Sequence, residues 1–219
     1  MIEKGIYFGS IHSFTNLNLI LSKVESTPAE PKTDYVDIPG GDGSIDMTEA
    51  HGEVKFHDRT LKFTFTMRPN DPLTWEGKQR QVSNALNGRR FERITIDDDP
   101  DYYWTGRVTV EGYAANKKIR QIVVSVRVKP YKMRQDETVS SFTLSSSAKT
   151  VSLSNGRKSV VPTITNTSAN AVIVFGGKTI TLESAGTHRV LDICLTEGTN
   201  SMKVSGSGTL TFTYREGAL

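Results

Sequence analysis

Cysteine is nearly absent from this 219-residue sequence, which contains only Cys194. It therefore cannot form an intramolecular disulfide or a cysteine-based metal site, and a chain of this length can fold without either. Long apolar runs are absent too, because the longest, residues 171–175, is far too short to cross a bilayer. The N-terminal residues lack the apolar segment of a secretory signal. We expect a soluble protein made in the cytoplasm, without a membrane segment and with Cys194 as a small buried hydrophobe.

A large excess of positive charge is also missing, since the formal net charge is only +3. Arg89, Arg90 and Arg93 form a small cluster, but the acidic run 97–101 follows at once. A protein that binds nucleic acid neutralises many phosphates and needs a clear excess of positively charged residues. The sequence therefore predicts no sequence-specific binding of nucleic acid.

Recognisable catalytic and metal-binding motifs are lacking as well. His51 and His57 lie six residues apart without a third ligand at a known spacing, and no Gly-x-Ser-x-Gly elbow is present. The acidic run 97–101 could suggest calcium, but Pro100 and the tyrosines that follow occupy positions where an EF-hand loop needs polar ligands. We favour a hairpin turn with solvated charges. The sequence predicts no enzyme, no cofactor and no metal.

What the sequence does contain is the two-residue period of β-strands. Apolar residues alternate from Leu61 to Met67 and again within residues 119–130, and further strands are expected at 6–8, 14–21, 91–96 and 102–110. One helix is predicted between Asp71 and Asn87, with Asp71 and Pro72 as N-cap and first residue and Gly88 after its end. Residues 35–46 contain Pro39, Gly40, Gly41 and Gly43 and predict a polar turn between extended segments.

Composition changes near residues 133–140. Charges become sparse beyond Gln135, Ser and Thr become abundant, and short strand signals recur every eight to twelve residues, the first at 150–153. This pattern is typical of an antiparallel sandwich. We predict a mainly β protein with two β-sandwich domains, residues 1–133 and 140–219.

Several motifs occur in an order that resembles the distal tail proteins of siphophages that infect Gram-positive hosts, and of their prophages. They are Ile38-Pro39-Gly40 with Asp46, the strand around Phe63, Ala85-Leu86-Asn87-Gly88, residues 97–103, Gly106-Arg107-Val108, Lys129-Pro130-Tyr131-Lys132 and residues 195–206. The resemblance covers nearly the whole chain. It implies a first domain with one helix and a protruding hairpin, and a second domain that is galectin-like.

The same resemblance implies a structural role at the virion tail tip. Six copies would close into a ring that joins the tail tube protein to the tail-associated hub protein, with a central channel for DNA. The second domain would face a receptor-binding protein or a host glycan. A ring needs two different complementary patches on each copy. The candidate interface residues lie in an exposed turn and at charged strand ends: Pro39, Gly40, Asp42, Gly43, Arg59, Arg89, Arg90, Asp97, Asp99 and Asp101.

Two other functions remain open at this stage. A carbohydrate-binding module for host cell-wall glycans would offer an exposed aromatic side chain, for which Tyr214 is a candidate, although its position in the alternation Leu210, Phe212, Tyr214 favours core packing. A peptidoglycan-degrading enzyme would need catalytic residues, and no motif supplies them.

Overall fold

Two compact units, Met1–Lys132 and Met133–Leu219, make up the computed structural model. It describes residues 4–50, 52–116 and 119–219. The first unit contains these elements: β1 (Ile6–Phe8), β2 (Ile11–His12), β3 (Leu19–Ser26), β4 (Tyr35–Asp37), β5 (Ser44–Asp46), β6 (Arg59–Met67), α1 (Trp75–Leu86), β7 (Arg90–Ile96), β8 (Tyr102–Ala115) and β9 (Arg120–Val128). β10 (Lys132–Arg134) lies where the units meet in sequence. The prediction of a mainly β protein with one helix in its first half is confirmed.

Seven strands of the first unit form one antiparallel path in the order β2-β1-β7-β8-β9-β6-β3. Four steps separate β1 from β6, so a flat sheet would place them about 19 Å apart. The rings of Phe8 on β1 and Phe63 on β6 nevertheless lie 6.3 Å apart, edge to face. The sheet therefore bends until its ends face each other across a shared core.

The alternation along β6 contributes one face to this core, as the sequence predicted. Leu61, Phe63, Phe65 and Met67 are buried, and the residues between them point outward. Their partners on β9 are Val126, Val124 and Ile122, which are buried as well.

The helix is confirmed, but its start is not where the sequence placed it. Thr74, and not Asp71, is the N-cap, and its hydroxyl accepts a hydrogen bond from the backbone N–H of Gly77 at 3.1 Å. The predicted end is correct, because Gly88 follows the C-cap Asn87 with φ of 74°.

Asp71 instead forms a buried ion pair. Its carboxylate lies 2.6 Å from the ammonium of Lys78, with side-chain exposures of 0% and 2%. The ammonium also donates to the Leu17 carbonyl and the Gln81 side chain, both at 2.8 Å. The Asn18 amide donates to the same Asp71 oxygen at 3.1 Å. This network fixes the first turn of α1 against the chain that enters β3.

The second unit is a β-sandwich of two four-stranded antiparallel sheets. Their orders are β11-β18-β13-β16 and β12-β17-β14-β15. The strands are β11 (Thr138–Thr143), β12 (Lys149–Asn155), β13 (Thr163–Asn166), β14 (Ala171–Phe175), β15 (Lys178–Leu182), β16 (Gly186–Arg189), β17 (Gly198–Ser205), β18 (Thr209–Tyr214) and β19 (Gly217–Ala218). Ile164 and Phe212 from one sheet and Ile173 and Val204 from the other belong to one buried cluster.

Three local predictions need correction. Residues 14–17 form a turn rather than a strand, because β3 begins only at Leu19, after Asn18 adopts φ of 56°. Residues 138–140, which show no apolar period, begin β11. Cys194 is a free thiol but only half-buried.

Candidate assembly interface

A two-stranded hairpin projects from the connection between β3 and β6. Its strands β4 and β5 pair only with each other. Two backbone hydrogen bonds join the chain segments on either side of it, from Lys32 N–H to the Lys55 carbonyl at 2.8 Å and from His57 N–H to the Glu30 carbonyl at 2.9 Å. These bonds hold the base of the hairpin together, and residues 35–46 of the hairpin are all exposed.

The hairpin has one apolar face. Val36 lies directly opposite Ile45, so their side chains share a face, and Ile38 and Met47 fall on the same side of the alternation. Their exposed fractions are 51%, 52%, 42% and 40%, respectively. A hairpin of this size is marginally stable in water by itself, and four exposed apolar side chains on one face make this surface a candidate for contact with another protein.

The opposite face of the hairpin is acidic. Tyr35 pairs with Asp46 and Asp37 with Ser44, which places these four side chains together. Residues 33–50 also contain Asp34, Asp42 and Glu49 but no lysine or arginine. Hydrogen bonds from the Thr48 side chain and backbone lower the pKa of Asp46, which keeps this carboxylate ionised. We call this surface the acidic face.

The predicted interface turn lies at the tip of the hairpin. Gly41 N–H donates to the Ile38 carbonyl at 3.1 Å, and Gly40 and Gly43 adopt φ of 74° and 78°. Glycine suits both positions because other residues rarely adopt such angles. Pro39, Gly40, Asp42 and Gly43 are therefore together, exposed and farthest along the chain from the anchored base.

A row of three arginines crosses the outer surface of the main sheet. Arg90 on β7 is directly opposite Arg107 on β8, and Arg107 is directly opposite Arg127 on β9. All three are exposed. We call Arg90, Arg107 and Arg127 the arginine row. Together with Asp58, Thr105 and Lys129 they line a shallow, open groove.

Gly106 allows the backbones to approach closely beside the arginine row. A Cβ atom at this position would lie 2.5 Å from the Arg127 carbonyl oxygen and 2.8 Å from a Val128 methyl group. These distances leave no space for a side chain, so the close pairing of β8 with β9 at the row depends on glycine.

Arg59 and Arg89 flank the same end of the sheet. Arg59 is half-buried, with its guanidinium carbon 4.1 Å from the ring centroid of Trp104, and burial lowers its pKa. Arg89 is exposed, and its carbonyl accepts a hydrogen bond from Val108 N–H at 2.8 Å. Of the predicted basic residues, Arg90 belongs to the row. Arg89 precedes it in the sequence, and Arg59 is directly opposite Val128, which follows Arg127.

The acidic run 97–101 is a turn, but its charges are not simply solvated. Asp97 accepts a hydrogen bond from Gly5 N–H at 2.7 Å and contacts His12 Nε2 at 3.1 Å. Asp98 pairs with Lys4, and Asp99 pairs with Lys132 at 2.6 Å. Because each carboxylate has its own partner, the three do not converge on a common point. Asp97 and Asp99 therefore make contacts within the first unit, and Asp101 is exposed.

The candidate residues thus fall into separate groups. β7 runs from Arg90 to Ile96, so the acidic turn lies about 20 Å from the arginine row. Sequence reasoning missed Val36 and Ile45 as an apolar face and Arg107 and Arg127 as neighbours of Arg90. Alternation marks Arg107 and Arg127 as outward-facing, but only the register of three distant strands shows that they align.

Among residues 4–50, 52–116 and 119–219, no group of three or more His, Cys, Asp and Glu side chains could hold a metal ion. His51 lies outside the described residues. No helix in the described segments is long and apolar enough to cross a membrane.

Residues 9–129 match the family described as the phage tail protein RIFT-related domain. The match spans more than half of the chain, and the chain therefore belongs to this family of phage tail proteins. The family is structural and is not an enzyme family. No curated protein matches the sequence.

Among solved structures, the fold is similar to that of the Dit protein (gp 19.1) of SPP1. The TM-score is 0.66 with 15% sequence identity, and the alignment covers 99% of both chains. That protein is described as a paradigm of the hub adsorption apparatus in phages that infect Gram-positive hosts. The predicted resemblance to siphophage tail proteins is confirmed, and the fold of this chain is Dit-like.

Proposed function

We propose that this phage tail protein is a distal tail protein at the tip of the virion tail. Six copies form a ring that joins the tail tube protein to the tail-associated hub protein, with a central channel for DNA. The observation that carries the proposal is the amphipathic hairpin, whose strands pair only with each other among the described residues and whose apolar face stays about half exposed. Family membership and the Dit-like fold support it.

The apolar face is the part of the hairpin that a second copy would cover. Full burial of a Val, Ile or Met side chain contributes about 1.5–3 kcal/mol, and each of these four is roughly half exposed in the single chain. Covering them would add a stabilising contact at every interface of the ring. A hairpin that reaches a different surface on the next copy gives a head-to-tail contact, which is the type that closes into rings.

In this proposal the second unit is galectin-like and contacts a receptor-binding protein or a host glycan. A carbohydrate-binding module is the weaker alternative. Tyr214 is only 4% exposed, and its hydroxyl donates to the Ser154 carbonyl. Among the described residues of this unit, the large apolar side chains that are exposed are Val139, Leu191 and Leu219, none of them aromatic. A flat stacking surface for a sugar ring is therefore lacking there.

The test is the oligomeric state of the full chain, alone and with the neighbouring tube and hub proteins, by native mass spectrometry and negative-stain microscopy. We expect hexameric rings, and we expect Val36→Asp with Ile45→Asp to abolish them. Val139→Asp with Leu191→Asp, which changes exposed apolar residues of the second unit, is the matched control and should assemble normally. Monomers under every condition, including with both neighbours present, would overturn the proposal.

A further inference from the structure

The arginine row is unfavourable within a single copy. Like charges directly opposite each other across strands destabilise a sheet, and here two such pairs share Arg107. Apolar or uncharged polar side chains would fit the same outward positions. A binding partner that supplies negative charge would offset this cost.

The chain itself only partly neutralises the row. Arg90 pairs with Glu92 at 3.2 Å and Arg127 with Asp58 at 3.2 Å, and Arg127 is 78% exposed. Arg107 donates to the Gly88 carbonyl at 2.7 Å. Lys129, which lines the same groove, adds a further positive charge. The outer surface therefore keeps an excess of positive charge around its central arginine.

The acidic face of the hairpin is complementary to this surface in charge and spacing. Asp37 and Asp46 are diagonal neighbours across β4 and β5, which places them about 7–8 Å apart. The arginines are spaced about 5 Å apart from strand to strand, and about 10 Å from first to last. Two carboxylates can therefore each meet a different guanidinium, whose planar fork suits carboxylate oxygens.

The two surfaces do not meet within one copy. The hairpin residues 35–46 are exposed, and the carboxylates that contact the row within the described residues are Asp58 and Glu92. Asp58 lies just after the anchored base of the hairpin, so the row is beside the point from which the hairpin departs. About eight extended residues from base to tip would reach about 25 Å.

We propose that the acidic face of the hairpin of one copy binds the arginine row of the next copy, with Asp37 and Asp46 paired to Arg90, Arg107 and Arg127. This inference rests on the proposed ring. The next copy encloses the hairpin, so that the apolar face is buried and the acidic face meets the row. Each hairpin then ends near the base of the following one, and the contact repeats around the ring.

A charge-reversal experiment tests the pairing. Variant one carries Arg107→Glu and Arg127→Glu, and variant two carries Asp37→Lys and Asp46→Lys. In either variant alone, both surfaces have the same sign, and we expect loss of the hexamer by native mass spectrometry. Mixed one to one, the acidic hairpin of variant one fits the row of variant two, and the reversed surfaces fit each other. We expect the mixture to recover hexamers with three copies of each.

The control variant carries Lys149→Glu and Arg189→Glu, an equal charge change on exposed residues of the second unit, and it should form rings as the parent does. Circular dichroism establishes that each variant is folded. If variant one fails to fold, Arg107→Gln with Arg127→Gln replaces it and should weaken the ring, as should increasing salt.

The outcomes separate this inference from the ring itself. If the parent forms hexamers and both reversal variants do so too, or if mixing fails to restore hexamers, the pairing is wrong and the ring stands. If the parent forms no ring with any partner, the proposed function fails first.

Discussion

At the scale of single residues, the buried pair Asp71–Lys78 is the most consequential departure from the sequence prediction. The sequence Asp-Pro predicts an N-cap because it matches the local pattern of helix starts. Tertiary contacts decide otherwise, since the Asp71 carboxylate accepts hydrogen bonds from Lys78 and Asn18 inside the fold. A charged pair without solvent contact is stable only while both partners are present.

We therefore expect Lys78→Met to destabilise the first unit by about 3–5 kcal/mol, because it leaves a buried carboxylate without its cation. Both tryptophans, Trp75 and Trp104, lie in the first unit, so their fluorescence during urea unfolding reports on that unit alone. Lys62→Met removes the partner of Glu111 from an exposed pair and should change the midpoint little. Replacing both members of the pair, with Asp71→Leu and Lys78→Met, should recover part of the stability that Lys78→Met alone removes. A midpoint unchanged by Lys78→Met alone would contradict this account.

Tyr214 gives the second unit a dependence on pH. Burial, with a smaller effect of Glu216, raises the pKa of its phenol above the ordinary value of 10.0. The folded unit thus holds the proton more tightly than the unfolded chain does. The associated stability is fully present below about pH 10 and is lost as the pH rises through the folded pKa.

The Tyr214→Phe variant checks this effect by calorimetry. At neutral pH it should be less stable by about 1 kcal/mol, because the Ser154 carbonyl loses its hydrogen bond. Above about pH 10 the parent loses stability that the variant never had. The difference in melting temperature should therefore narrow as the pH rises, and a difference that is constant or grows would refute the assignment.

At the scale of elements, the hairpin of β4 and β5 is attached to the first unit without contributing to its core. None of its residues is buried, and its ends already meet, since Met47 N–H donates to the Asp34 carbonyl at 2.7 Å. Because this element costs conformational entropy without burying apolar surface, the proposed function assigns it a contact outside the chain.

Replacing residues 35–46 by Asn-Gly should therefore remove the hairpin and spare the fold. Asn-Gly closes a two-residue turn between antiparallel segments, which Asp34 and Met47 already form. We expect an unchanged urea midpoint by tryptophan fluorescence and complete loss of hexamers. A large fall in the midpoint would mean that the hairpin supports the core. Val36→Thr with Ile45→Thr keeps the hairpin and provides an intermediate comparison.

The elements that the sequence predicted best are those in which a local pattern and the final environment agree. Alternation in β6 and β9 coincides with one buried face, and Gly88 ends α1 because its φ is positive. β11 was missed because the polar residues Thr138 and Ser140 lie on its less exposed face while the apolar Val139 lies on its exposed face, so the sequence shows no apolar period there. The arginine row and the bend of the sheet depend on the register of strands far apart in sequence, which no local pattern encodes.

At the scale of the whole molecule, the two units differ in amino-acid composition and in the interactions that stabilise each of them. The first unit contains the paired charges of its turns, the helix and both tryptophans, whereas the second is a sandwich rich in Ser and Thr. The candidate assembly surfaces, the hairpin and the arginine row, both lie in the first unit. We therefore expect the first unit to provide the ring contacts.

The position of the boundary determines which fragment of the second unit folds. β11 pairs with β18 from Thr138 onward, where Thr138 is opposite Tyr214. The backbone N–H of Arg134 donates to the Glu216 carbonyl at 3.0 Å, and the Thr138 hydroxyl donates to the Glu216 carboxylate at 2.6 Å. A fragment that begins at residue 140 lacks these partners and leaves the end of β18 unpaired, whereas residues 133–219 contain all of them.

We expect the 133–219 fragment to fold alone, with dispersed amide proton NMR signals and a cooperative thermal transition. The 140–219 fragment should melt at a lower temperature, because it loses the first two pairs of the β11–β18 ladder and both contacts to Glu216. Adding back Met133–Val139 one residue at a time should restore stability most steeply once Thr138 is present. An unfolded 133–219 fragment would show that the second unit depends on the first, and equal melting temperatures for the two fragments would place the boundary at residue 140.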